Sequence, residues 1–172
     1  MSNLVALCHH RWTLPVLAEI ERTRGSRFAT LGGTLGVSNE SLRRTLRALE
    51  TQGLVTRNPG YGHPLRPEYV FTGHGARLGP RARRLLGELA GHEEIGLKKW
   101  SLPVLATLGE PRRFSEIGAT LPEASPRALT LALKDLRAAG FVQRTVTDDY
   151  PPAVVYELTP EARPIAAAAR AL

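Results

Sequence analysis

Arg43, Arg44 and Arg47 are interleaved with Leu42, Leu46 and Leu49 in the stretch NESLRRTLRALETQG, residues 39–53. The leucine spacing draws one apolar stripe along a helix. At about 100° per residue, the three arginines and Glu40 fall on the arc facing away from that stripe. Ser38, Asn39 and Ser41 crowd the first turn of the same segment. A guanidinium fork pairs bidentately with guanine, and an Asn amide with adenine, so this set matches base edges in a major groove. The plainer reading is a solvated face on which Glu40 and Arg44 form an i,i+4 pair.

Charge distribution favours the first reading. The 172-residue chain has a formal net charge of +7. Residues 1–91 hold 13 Arg against 6 Glu, whereas residues 92–172 hold 10 Arg and Lys against 10 Asp and Glu. All of the excess sits in the first half, as expected if only that half faces a polyanion. A GC-rich coding sequence would explain Arg over Lys but not the asymmetry.

Other chemistries have little to stand on. There is no GxGxxG, P-loop or GxSxG motif and no pair of carboxylates in a helical frame, so no catalytic residue and no cofactor is expected. Five histidines are scattered, and His9 and His10 point about 100° apart on a helix, so no metal site is expected. The single cysteine, Cys8, excludes an internal disulfide and reads as a small buried residue. The start, MSNLVALCHHRW, is too short in apolar residues for a signal-peptide core, and no apolar run approaches the roughly 20 residues of a membrane span. A soluble cytoplasmic protein without membrane contact is the expectation.

The elements that position these residues occur twice. RWTLPVLAEI at residues 11–20 returns as KWSLPVLATL at residues 99–108, identical at six of ten positions. Each copy predicts an apolar helix after its Trp, with Thr13 or Ser101 as N-cap and Pro15 or Pro103 in the first turn. A short helix follows, Phe28 to Leu35 or Phe114 to Leu121, then a turn ending in an N-cap, Ser38 or Ser125. The longer helices carry matching stripes, Leu42, Leu46, Leu49 and Leu129, Leu133, Leu136, and stop at Gly53 and Gly140. Two β segments close each unit, 54–57 with 67–72 and 141–146 with 153–159, before a terminal helix. Helix, helix, helix, hairpin, helix is the order of a winged helix-turn-helix. The fold class is therefore mainly α with small β wings, in two tandem domains, 1–91 and 92–172.

The composite pattern resembles the HxlR family of bacterial winged-helix regulators. In the first copy it is carried by Trp12, Arg27, Phe28, Ser38, Leu42, Leu46, Leu49, Gly53, Leu54, Val55, Arg57, Pro64, Tyr69 and Thr72. In the second it is carried by Trp100, Arg113, Phe114, Ser125, Leu129, Leu133, Leu136, Gly140, Phe141, Val142, Arg144, Pro151, Tyr156 and Thr159. Members of that family pair as homodimers through terminal helices. The resemblance implies that this chain packs its two domains as an intramolecular pseudo-dimer, monomeric or weakly dimeric overall. It also implies double-stranded DNA as partner and a small-molecule effector as a second one. Some relatives sense oxidants through a cysteine well upstream of the Trp. Cys8 is only four residues before Trp12, so that role does not carry over.

The expected DNA-contacting set is Arg27, Ser38, Asn39, Ser41, Arg43, Arg44 and Arg47, with Arg57, Tyr61, His63 and Arg66 from the wing. The second copy replaces Asn39, Ser41, Arg43 and Arg44 by Pro126, Ala128, Thr130 and Leu131, and its wing carries Asp148 and Asp149. Its recognition helix reads as degenerate, although Arg127 and Lys134 remain. The expected function is a ligand-responsive, sequence-specific transcriptional repressor reading DNA mainly through the first domain. The rival reading is a drug- or metabolite-sequestering protein that has lost its operator, with Trp12, Trp100 and Leu131 as candidate ligand walls.

Overall fold

A computed structural model describes residues 2–58, 67–148, 150 and 152–172. The chain divides into two compact units. The N-terminal unit is His10–Gly87; the C-terminal unit is Glu88–Leu172 together with the residues up to His9.

The N-terminal unit contains α2 (Thr13–Thr23), β1 (Ser26–Arg27), α3 (Phe28–Leu35), α4 (Asn39–Thr51), β2 (Val55–Asn58), β3 (Glu68–Phe71) and most of α5 (Gly73–Glu88). Its sheet has the order β1-β3-β2, antiparallel throughout, with Arg57 opposite Tyr69 and Arg27 opposite Glu68. Leu14, Leu17 and Ile20 of α2, Leu31 of α3 and the Leu42, Leu46, Leu49 stripe of α4 are all buried. Truncating one such leucine to Ala costs about 2–5 kcal/mol.

The C-terminal unit begins with a helix from the start of the chain, α1 (Ser2–Leu7), and continues with α6 (Glu93–Gly96), α7 (Ser101–Thr107), β4 (Arg112–Arg113), α8 (Phe114–Thr120), α9 (Pro126–Ala138), β5 (Val142–Val146), β6 (Val154–Leu158) and α10 (Ala162–Arg170). Its sheet repeats the first, in the order β4-β6-β5. α1 packs on α7, with Leu4 and Leu7 buried, and Asn3 Nδ2 donates to the Leu172 carbonyl at 2.9 Å. The Cys8 thiol beside them is buried, and desolvation pushes its pKa up to about 12.

The punctuation of both copies follows elementary capping chemistry. Ser38 Oγ accepts from the Ser41 N–H, and Ser125 Oγ from the Ala128 N–H. After α4, Gly53 takes φ +65°, and the amides of Gly53 and Leu54 donate to the carbonyls of Glu50 and Leu49. After α9, Gly140 takes φ +75°, and Gly140 and Phe141 donate to Arg137 and Leu136. Both are Schellman closures, which need a residue at ease with positive φ.

The first helix of each copy starts differently from expectation. The N-caps of α2 and α7 are Trp12 and Trp100, not Thr13 and Ser101. Both hydroxyl residues are only 1% exposed, inside the first turn, and Ser101 Oγ has no hydrogen-bond partner among the described residues. The two-residue strands β1 and β4 also lie outside the predicted hairpins. Dipeptides carry no alternation, and these are extended only because β3 and β6 offer them an edge.

Candidate nucleic-acid interface

Positioning of the candidate recognition helix, α4, starts in the core. With Leu42, Leu46 and Leu49 buried, α4 turns Asn39, Glu40, Arg43, Arg44, Arg47 and Glu50 outward, and all six are exposed. Thr45 is buried and donates to the Ser41 carbonyl at 2.9 Å.

The exposed arc is structured by its own contacts. The Arg43 guanidinium carbon lies 5.5 Å from the centroid of the Phe28 ring, so the first residue of α3 supports it by a cation–π contact. Arg44 Nη2 meets Glu40 Oε1 at 2.8 Å, the anticipated i,i+4 pair. Both partners are largely in water, so this pair contributes little stability and leaves Arg44 free to exchange partners. Ser38 Oγ donates to Ser41 Oγ at 3.0 Å, and Ser41 is half-buried, so these two hydroxyls are engaged with each other at the helix start.

Between α4 and the wing lies a cleft of about 390 Å³ lined by Phe28, Arg43, Leu46, Arg47, Glu50, Arg57, Pro67 and Tyr69. Three cations over an apolar floor, with one carboxylate at the edge, suit a phosphate oxygen or another anion. Glu40, Arg43, Arg44 and Arg47 border a second hollow of about 280 Å³ along the helix.

Arg27 stands at the N-cap of α3 and in β1, its Nε 3.3 Å from Glu68 Oε1. This is an exposed pair bridging β1 and β3. Arg57 is exposed on β2. Tyr61, His63 and Arg66 lie outside the described residues, as does Asp149. Trp12 and Trp100 are half-buried at the starts of α2 and α7, with Lys99 Nζ 5.0 Å from the Trp100 ring centroid. Leu131 is 58% exposed on α9.

The structure thus brings Arg43, Arg47 and Arg57 to one cleft and sets Arg44 and Asn39 on the same outward face. Phe28 and Tyr69 belong to that cleft and were not singled out as site residues. The adjacency of Arg27 and Phe28 at the head of a helix was the available signal for Phe28. Tyr69 was marked only as part of the family pattern, and it reaches the cleft through strand pairing.

Among the described residues no helix is long and apolar enough to cross a membrane. An uncharacterized HTH-type transcriptional regulator of Methanothermobacter thermautotrophicus is 40% identical over 73 residues, 42% of this chain and 55% of that protein. YvaP of Bacillus subtilis, also described as an uncharacterized HTH-type transcriptional regulator, is 40% identical over 74 residues, 42% of this chain and 68% of YvaP. The chain therefore spans about half the length of the first relative. Among solved structures, diamide-treated YodB from B. subtilis matches with a TM-score of 0.42 and 31% identity, over 45% of this chain and 77% of that one. The family model described as HxlR-like helix-turn-helix matches residues 7–90 and again residues 95–172. With two matches that together take in nearly every element, the chain belongs to the HxlR-like helix-turn-helix family, as a tandem of two copies.

Proposed function

We propose that the protein is a transcriptional regulator that binds double-stranded DNA and reads its sequence through the N-terminal unit. The observation that carries this reading is the outward arc of Arg43, Arg44 and Arg47 on a serine-capped helix, continued by Arg57 across a cleft. The names of the matched relatives, HTH-type transcriptional regulators, support the same class. In this reading Arg44 and Asn39 meet base edges, while Arg47 and Arg57 meet phosphates.

The second copy stands, in the same proposal, where a partner subunit stands for a single-copy relative. The two copies form a pseudo-dimer in this reading, and the operator is lopsided, with one well-specified half-site. An effector that releases DNA is the finer part of the proposal. The exposed Leu131 on the second recognition helix is its supporting feature, because nothing about base reading requires an apolar residue there.

Selection of bound sites from random duplexes, run with and without candidate small molecules, tests all of this. The expected result is one enriched half-site and an effector that weakens its retention. No enrichment, together with tight binding of a small molecule, would establish the sequestering reading instead.

A further inference from the structure

The neutral balance of residues 92–172 conceals a local feature of α9 and β5. Lys134, Arg137 and Arg144 line an open cleft of about 540 Å³ whose remaining walls are Ala138, Val142 and Gln143. All three cations are exposed, and among the described residues none is in an ion pair. The nearby Asp135 is occupied by Lys98, Nζ to Oδ2 at 2.8 Å.

Register with the first copy shows what has changed. Lys134 and Arg144 stand where the first copy has Arg47 and Arg57, and Arg137 stands where it has Glu50. Arg127, exposed at the start of α9, takes the place of Glu40. Both acidic residues of the first recognition face are therefore cations in the second. The groups able to read bases went the other way, to Pro126, Ala128, Thr130 and Leu131. Of the acids that balance the half-chain, Asp135 lies on α9 and is held by Lys98, Glu157 lies on β6 opposite Gln143, and Asp148 follows β5, while Glu93, Glu110, Glu123 and Glu161 lie outside α9, β5 and β6.

We propose that the C-terminal unit is a sequence-blind anchor that grips duplex DNA by its phosphates through Lys134, Arg137 and Arg144, with Arg127 extending the contact. Guanidinium forks and an ammonium bind phosphate oxygens by charge-assisted hydrogen bonds and carry no base code. The cation-rich C-terminal end of the helix holds the backbone, while the end that would face base edges has Pro126, Ala128 and Leu131 beside Thr130 and has lost the Asn and Arg forks of the first copy. The unit thereby adds affinity, and strong salt dependence, to a sequence choice made elsewhere. This inference rests on the reading that the chain binds duplex DNA.

The test uses the full chain and two duplexes of equal length, a selected site and a random sequence, with dissociation constants followed from about 50 to 300 mM salt. The triple variant Lys134→Gln, Arg137→Gln, Arg144→Gln should lower the log–log salt slope by about 2–3 units, since each phosphate contact contributes about 0.9. Affinity for both duplexes should fall together, on the order of 10- to 100-fold at 150 mM salt, with their ratio unchanged. Arg137→Glu, which restores the residue type of the first copy, should lower the slope by at least one unit; being a single exposed change, it guards against misfolding of the triple variant. An unchanged slope in both variants while the wild-type chain binds overturns the anchor and leaves the proposed function standing. A changed ratio between the duplexes also overturns it, because the unit would then read sequence. A wild-type chain that binds neither duplex overturns both proposals.

Discussion

Two stretches of the two copies are built nearly alike, and two are not. Between α4 and β3, Thr72 Oγ1 donates to the Gly53 carbonyl at 2.6 Å and the Thr72 amide to the Leu54 carbonyl at 3.1 Å. Between α9 and β6, Thr159 Oγ1 donates to Gly140 at 2.8 Å and the Thr159 amide to Phe141 at 3.1 Å. The helix faces at 39–50 and 126–137 share their leucine stripes and little else; six outward positions differ and two of them reverse charge. Closing a helix with a left-handed residue and tying it to a returning strand admits few residue types, because backbone donors and acceptors must be satisfied there. A solvent face admits almost any residue type, so it is where two copies with one fold diverge.

The largest test of the shared part is in the core. Leu46→Ala and Leu133→Ala remove equivalent side chains, both nearly inaccessible, and each should cost about 2–5 kcal/mol in urea denaturation of the full chain. A small loss from one alone would mean that the two cores are not equivalent, and the likeness would stop at the backbone.

On the divergent face, Arg44→Ala should weaken binding of the selected site by about 1–3 kcal/mol, the value of a bidentate base contact. Leu131→Ala, at the equivalent position, should leave that affinity within experimental error. Fluorescence anisotropy on one duplex at fixed salt compares them, and equal losses would show both helices reading bases.

The tying threonines should again behave as a pair. Thr72→Val and Thr159→Val each delete a side-chain hydrogen bond to a backbone carbonyl, worth about 1 kcal/mol in thermal denaturation, and Thr72→Val should cost somewhat more because its oxygen also accepts from the Gly75 N–H. A loss confined to one copy would show that the matched geometry is not matched in energy.

The finest distinction is acid sensitivity. Arg22 donates to both oxygens of Glu19, at 2.9 and 2.7 Å, and this hydrogen bonding holds the carboxyl below its usual range against the opposing effect of burial. A depressed folded-state pKa stabilises the fold above the ordinary carboxylate pKa, and that contribution is lost as pH falls through the folded value. The second copy has Thr107 and Glu110 at these positions, so it lacks the pair. Melting temperatures taken from neutral to acid pH should fall less for Glu19→Gln than for the wild-type chain. Parallel curves would remove Glu19 from the account.

Much of the architecture was legible in the residue order because its causes are local. Stripes at i, i+3 and i+4, a serine before a helix and a glycine after it act within one or two turns, and the second copy repeats them at a fixed offset. The outward set of α4 followed from the same arithmetic. Other features depend on surfaces that exist only once the chain has folded. β1 and β4 are extended because an edge is available to each. Arg27 meets Glu68, and Tyr69 enters the cleft, through strand pairing across some forty residues. Burial displaced the N-caps of α2 and α7 from hydroxyl residues to tryptophans. α1 stands next to the first copy in sequence yet packs with α7 of the second, because Leu4 and Leu7 bury their surface wherever an apolar partner is left uncovered, and chain adjacency exerts no such pull.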